Sequence, residues 1–343
     1  MNRTNALLCL SLTIIVMTTS IQYNGLCQDT SSRRDKRFAP TVLPGKGMQQ
    51  YDFLYAGEGR VHTIFIVQNG QIVWSFRDTA NRGEMSDAVL LSNGNIVYAH
   101  QHGVSIINHN KEVLWTYKPP AGCEIHTAQP IGTNKVVFLQ NGDSLHAAIV
   151  RVVNHETGTV LKEFSIPVGN PNRSHLQFRH ARLTKAGTIL VAHMDCDKVC
   201  EYDINGKELL SISVPSPWSA IPLDNGNILV SSNKHFVREF TRKGDIVWEF
   251  LPSDVPEYAL FGLQLPIRLP NGNTIINSWN SKYRKTNPNS DDDPVQFIEV
   301  TPDKKVVWAL HEWTDPVNLG PSTILQLLSL NQKPEDVHFG DIR

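Results

Sequence analysis

Asp87, His126 and His180 share one position of a repeated phrase in this chain, and His100 and His193 share another. Imidazoles titrate near neutrality, so several at one place can divide general acid and base work or bind a divalent metal. A carboxylate such as Asp87 raises the pKa of an adjacent imidazole and fixes its tautomer. Such a cluster can take a proton from a sugar or deliver one. His126, His180, His193 and His100 are therefore the candidate acid/base residues, with His126, His180 and His193 also candidate metal ligands. A purely structural role competes: a His at a strand start can bond a neighbouring backbone and staple it in place.

Basic and aromatic residues surround these positions. Arg179 precedes His180 and offers a bidentate anion contact. Arg182 lies deeper in the same strand, where a charge must be paired or wet; it is expected to line a channel, a buried ion pair being the other solution. Trp218 holds an equivalent position to Arg179. A later insertion carries Trp279, Lys282 and Arg284. Its Trp can stack on a sugar face, and its cations can hold a carboxylate or sulfate. Asp87, Arg179, Trp279, Lys282 and Arg284 are the expected substrate contacts. The run Asp291, Asp292 and Asp293 lacks the glycine and terminal Glu of a calcium loop and reads as a solvated acidic stretch.

The register comes from Leu91-Ser92-Asn93-Gly94-Asn95-Ile96-Val97 and its copies at Leu223-Asp224-Asn225-Gly226-Asn227 and Leu269-Pro270-Asn271-Gly272-Asn273. Asn-Gly between apolar runs predicts a two-stranded hairpin with a type I′ turn. Looser copies start at Thr184 and Ile131. Each precedes a second turn and an apolar strand ending in Trp or a substitute: Trp74, Trp115, Lys162, Ser211, Trp248 and Trp308. Four strand signals recurring about every 40 residues mark an all-β, six-bladed β-propeller with four-stranded antiparallel blades. The Trp residues are expected to pack blade against blade. The first unit, over residues 51–77, supplies only three strands, so the count has an uncertainty of one and seven blades stay open. Residues 322–328 are expected to return and complete that unit, closing the ring with strands from both termini. Loops entering each first strand and leaving each second strand then lie on one face, where Asp87 and the histidines are expected to meet.

The Asn-Gly-Asn hairpins, together with Gly206-Lys207-Glu208-Leu209-Leu210, Gly244-Asp245-Ile246-Val247-Trp248 and Glu156-Thr157-Gly158-Thr159-Val160, resemble the quinoprotein-like (PQQ-like) propeller repeats over about residues 50 to 310. To a lesser degree they resemble arylsulfotransferase-like propellers. The resemblance implies a fold rather than an activity. Quinone-dependent members generally have eight blades and cofactor contacts that do not map onto this chain, which disfavours PQQ. The arylsulfotransferase-like group implies a central catalytic His, matched to no single position.

Of 343 residues, 41% are hydrophobic and 19% charged, and the net charge of -1 supplies no bulk attraction to nucleic acid. Arg3 followed by the apolar run Ala6 to Met17 reads as a signal peptide over residues 1–27, too short to span a bilayer. Cleavage after Cys27 predicts a secreted or periplasmic protein; Leu26 argues against a lipid anchor on Cys27. Residues 28–45 read as a flexible leader, 46–333 as the propeller and 334–343 as a loose C-terminal tail. Cys196 and Cys200 straddle a hairpin tip and can bridge, leaving Cys123 free.

The sequence thus predicts a carbohydrate-active enzyme, lyase or hydrolase, working on a polar or acidic saccharide with a metal-assisted or metal-free His site. A non-catalytic ligand-binding or scaffold propeller is the alternative, and sulfuryl transfer through a central His a further one. No transmembrane segment is predicted, and oligomeric state is open.

Overall fold

In the computed structural model, residues 39–58, 62–81, 83–280, 294–330 and 333–343 are described. The signal-peptide region, Cys27, and the insertion residues Lys282, Arg284 and Asp291 to Asp293 lie outside them. Six four-stranded antiparallel sheets form the fold, as six blades. Blade 2 shows the pattern, with Asp87–Leu90 innermost, then Ile96–Ala99, Val104–Ile107 and Val113–Tyr117. Its two middle strands are buried at every residue, whereas the outermost is largely exposed. That gradient follows from stacking blade on blade: middle strands are covered on both faces and read as continuous apolar runs, as in any doubly covered sheet.

The inner hairpins form as the repeated phrase predicts, with a different turn. Gly94 N–H donates to the Leu91 carbonyl at 3.0 Å and Leu91 N–H to that of Asn95 at 2.8 Å. Only the glycine of each phrase takes positive φ, +84° at Gly94, +85° at Gly226 and +88° at Gly272, while the Asn residues do not. This is a three-residue loop with a left-handed glycine rather than a type I′ turn. Asn93 contributes through its side chain, whose Oδ1 accepts from Asn95 N–H at 3.0 Å. The Trp residues dock neighbours as expected. Trp74 Nε1 donates to the His109 carbonyl in blade 2, and Trp248 Nε1 to that of Pro302 in blade 6.

Blade 1 comprises Phe53–Glu58, His62–Gln68 and Gln71–Asp78, with Ser322–Leu327 paired antiparallel to Phe53–Glu58 as its innermost strand. The ring is closed by both ends of the chain, and seven blades are ruled out. The segment beyond residue 333 departs from the expectation of a loose end. Phe339 is fully buried in the core that blades 3 and 4 share. The Gly340 N–H donates to the Gly187 carbonyl at 2.8 Å. The close of the leader is also placed: Ala309 N–H reaches the Pro44 carbonyl, and Leu43 packs on a core cluster. Cys123, Cys196 and Cys200 are free thiols. No helix among the described residues is long and apolar enough to cross a membrane.

Candidate functional site at the channel mouth

Four inner strands carry a register shift where they start. It falls between Ile125 and Thr127 in blade 3 (Glu124–Ile131), between Phe178 and Ala181 in blade 4 (Phe178–Leu183), between Pro217 and Ser219 in blade 5 (Pro217–Pro222), and between Ser322 and Ile324 in blade 1 (Ser322–Leu327). A bulge re-aims the side chain it carries. The residues at these bulges are His126, the pair Arg179 and His180, Trp218 and Thr323. Blade 2 has no such shift, and Asp87 pairs regularly with Ala99.

Around the first two bulges a polar cluster assembles from three blades. Glu124 Oε2 accepts from His126 Nε2 at 2.7 Å and from His175 Nδ1 at 2.8 Å. Gln101 Nε2 donates to Glu124 Oε1 at 3.0 Å, while Gln101 Oε1 accepts from the Glu84 backbone N–H. Arg179 Nη1 donates to Glu84 Oε2 at 2.8 Å and lies 2.7 Å from His126 Nδ1, and Nη2 is 2.7 Å from His175 Nε2. The guanidinium also lies over the Trp218 ring, 4.9 Å from its centroid. Burial by itself would raise the Glu124 carboxyl, but the N–H groups of His126 and His175 hold it well below the usual carboxylate range. Burial, reinforced by the Arg179 guanidinium, pushes His126 down to about 4 against the pull of Glu124. His126 and Arg179 are almost wholly buried, whereas the His175 side chain is 42% exposed. His175 is thus the imidazole of this cluster that a ligand reaches. Beside the cluster is a narrow crevice of about 10 Å³, room for a single water, lined by Glu58, Glu84, Ser86, Trp218, Gln264, Trp279 and Thr323. Trp279 Nε1 donates to Glu58 Oε2 at 3.1 Å.

The remaining expected site residues do other work. Asp87 is fully buried and accepts from Arg182 Nη1 and Nη2 at 2.8 and 2.9 Å, and from Thr127 and the Ala128 N–H. It is an inter-blade tie, not a substrate contact, and Arg182 takes the buried pair rather than the channel. His180 lies beneath the cluster with Nδ1 3.9 Å from Asp87 Oδ2, and burial pushes it down to about 3. His100 bonds Ser105 Oγ through Nε2 at 3.1 Å inside blade 2. His193 bonds the Tyr202 hydroxyl through Nε2 at 2.9 Å and stacks edge-on to Phe178 inside blade 4. Both are interior residues because their side chains fall on blade faces that the neighbouring blade covers. The set His126, His180 and His193 is therefore not one metal-ligand constellation. Arg179 belongs to the cluster, but its guanidinium is committed to Glu84 and the imidazoles, so it does not present a free anion contact.

Glu84, Glu124 and His175 escaped the sequence reading. Glu84 and His175 stand in loops just before inner strands and Glu124 at the start of one. The two carboxylates stand at different offsets before the inner-strand column, Glu84 three residues before Asp87 and Glu124 two before His126, so no single shift of register finds both. His175 sits on a short 3-10 turn, Ser174–Leu176, which no repeat signal marks.

No protein-family model matches the chain, and no curated protein does. Among solved structures it is similar to a protein of unknown function from Bacteroides caccae, with 26% identity and a TM-score of 0.67 over 80% of this chain and 98% of that one. It is also similar to a streptogramin B lyase, with 13% identity and a TM-score of 0.52 over 82% and 88%. A catalytically inactive variant of virginiamycin B lyase from Staphylococcus aureus, with quinupristin, aligns at 10% identity and a TM-score of 0.51 over 76% and 85%. These likenesses are at the level of the fold; the six blades are those of the chain's own six sheets. The quinoprotein-like and arylsulfotransferase-like resemblances have no family match behind them.

Proposed function

We propose that the chain is an exported carbohydrate-active enzyme, a lyase or hydrolase, that handles a polar or acidic saccharide at the channel mouth. The observation that supports it is the Glu124 carboxylate bonded to two imidazoles, one of them half-exposed, in a cluster whose Glu84 lines a crevice together with Trp218 and Trp279. A carboxylate behind an imidazole orients the ring and stabilises the cation that forms when the ring takes a proton. In this reading His175 Nε2 takes a proton from the bound substrate and Glu124 holds its Nδ1–H. His126 shares Glu124 and keeps it in place, and Arg179 is a positioning residue. The indoles offer faces on which a sugar ring stacks. Export rests on the apolar run Ala6 to Met17 after Arg3.

The test is a screen of neutral and uronate-containing polysaccharides against wild type and His175→Ala. New reducing ends report hydrolysis, and the ultraviolet absorbance of an unsaturated uronate reports elimination. Turnover by wild type that is lost in a folded His175→Ala supports the reading; equal turnover by both overturns it. The binding-scaffold alternative draws on the cluster's spread over blades 2, 3 and 4. It expects the same substitution to lower Tm and leave saccharide binding unchanged.

A further inference from the structure

We propose that Glu84, His126 and His175 form a divalent transition-metal site, and that Arg179 is the cation that holds these ligands together in the metal-free protein. An ionised carboxylate only accepts, so each ring nitrogen bonded to Glu124 carries its proton. His126 is then the Nε2–H tautomer and His175 the Nδ1–H tautomer. Their lone pairs lie on His126 Nδ1 and His175 Nε2, both on the side of Glu84. His126 Nδ1 is 3.7 Å from Glu84 Oε2, and His175 Nε2 is 3.7 Å from Glu84 Oε1. One ligand atom from each of the three residues falls within 4.8 Å of the others. Tetrahedral zinc with bonds of about 2.0–2.1 Å needs its ligand atoms about 3.3 Å apart. The two 3.7 Å separations exceed that spacing by a few tenths of an ångström, and the ligand atoms must draw together as the Arg179 guanidinium withdraws from between them.

Arg179 bridges the three residues. Its Nη1 contacts Glu84 Oε2 and lies against the His126 ring, 2.7 Å from Nδ1 and 2.9 Å from Nε2, and its Nη2 contacts His175 Nε2. A guanidinium satisfies acceptors that a metal ion would otherwise bind. Ser86 Oγ also approaches His126 Nδ1, at 3.1 Å, and must turn away when the metal binds. Glu124 then completes the arrangement, since metal-bound imidazoles commonly donate their other N–H to a carboxylate, and here one carboxylate serves two rings. Two imidazoles and a carboxylate suit zinc and its first-row neighbours, whereas calcium and magnesium prefer oxygen ligands. Of the three residues His175 is the most open to solvent, its side chain 42% exposed against 18% for Glu84, so an ion from solution meets it first. Metal binding would take the same His175 Nε2 lone pair that the catalytic reading uses as a base, so it is a separate use of this site and is tested apart from that reading, since binding is measurable without a substrate.

The experiment uses the chain stripped with chelator, titrated with Zn²⁺ against a chromophoric competitor and with Co²⁺ followed by its visible absorption. Wild type is expected to bind one equivalent, with Co²⁺ bands of a four- or five-coordinate site. His175→Ala and Glu84→Gln, shown folded by circular dichroism, are expected to lose that equivalent. Glu124→Gln is expected to weaken it about 10- to 100-fold. Arg179→Ala is expected to bind more tightly, since the competing cation is gone. If that variant does not fold, the wild-type and His175→Ala titrations decide alone. No stoichiometric metal in wild type, or equal binding by wild type and His175→Ala, overturns the proposal. Saccharide turnover that depends on His175 in a protein that binds no metal would leave the acid/base reading standing and sink the metal site.

Discussion

Arg182 of blade 4 reaches across blade 3 to grip Asp87 of blade 2 with both terminal nitrogens, at 2.8 and 2.9 Å. Thr127 of blade 3 lies between them, donating to Asp87 Oδ2 while its Oγ1 accepts from the Ala181 N–H. Three inner strands are thus tied at one level around the channel. Removing one member of a buried pair strands the other charge at a cost of roughly 3–5 kcal/mol. Asp87→Ala is expected to lower unfolding free energy by about that amount in urea denaturation. Asp87→Ala/Arg182→Met is expected to cost less than the sum of the two single changes. Strict additivity would show that the pair is not coupled.

Phe339 makes the carboxy-terminal segment part of the core. Its ring centroid lies 6.1 Å from that of Phe164, in a cluster with Tyr202 and Leu183. Phe339→Ala is expected to destabilise the protein by about 3–5 kcal/mol, as for other fully buried aromatic truncations. Removing residues 334–343 should cost at least as much. A truncated chain with unchanged Tm would restore the loose-tail expectation.

Stability should fall steeply in mild acid. Burial pushes His100 and His126 down to about 4, and His180 and His193 down to about 3. These groups stay neutral in the fold at a pH where the unfolded chain, with histidine near 6.5, already binds protons. The unfolded state therefore takes up protons first, and stability is lost as pH drops from about 6.5 towards 4. Each residue contributes on the order of 3 kcal/mol across that window. The urea midpoint should decline accordingly, and His193→Gln should flatten the slope. A midpoint independent of pH over this range would contradict the burial of these rings.

Glu124→Gln tests the tautomers directly. In the native cluster nitrogen NMR should report His175 protonated at Nδ1 and His126 at Nε2. A glutamine has one acceptor oxygen and brings N–H donors, so it cannot hold both rings in those forms. The His175 signals should shift towards a mixture of tautomers, and any turnover should drop by about 10²–10⁴-fold, the usual worth of general acid–base catalysis. Unchanged tautomers would show that Glu124 does not set them.

The blades were legible because their signals are local. Leu91-Ser92-Asn93-Gly94-Asn95 and its copies specify a turn within five residues, through the left-handed glycine and the Asn side chain. Trp74, Trp248 and their equivalents mark the outer strands by position. From those two marks the repeat length, six blades, and the return of Ser322–Leu327 into blade 1 followed by counting strands. Even the face that carries the cluster was readable, since alternation of strand direction decides which loops share it.

Tertiary structure alone decided which side chains meet there. The bulges at His126, Arg179 with His180, Trp218 and Thr323 add a residue to four inner strands and leave Asp87 in regular register. A one-residue change in register sends a side chain to the opposite face, so positions equivalent in the repeat are not equivalent in space. Asp87 consequently meets Arg182 and not His126, and His100 and His193 disappear between blades. His175, Glu84 and Glu124 come together from loops and strand ends more than 30 residues apart, on contacts between blades that no local pattern encodes.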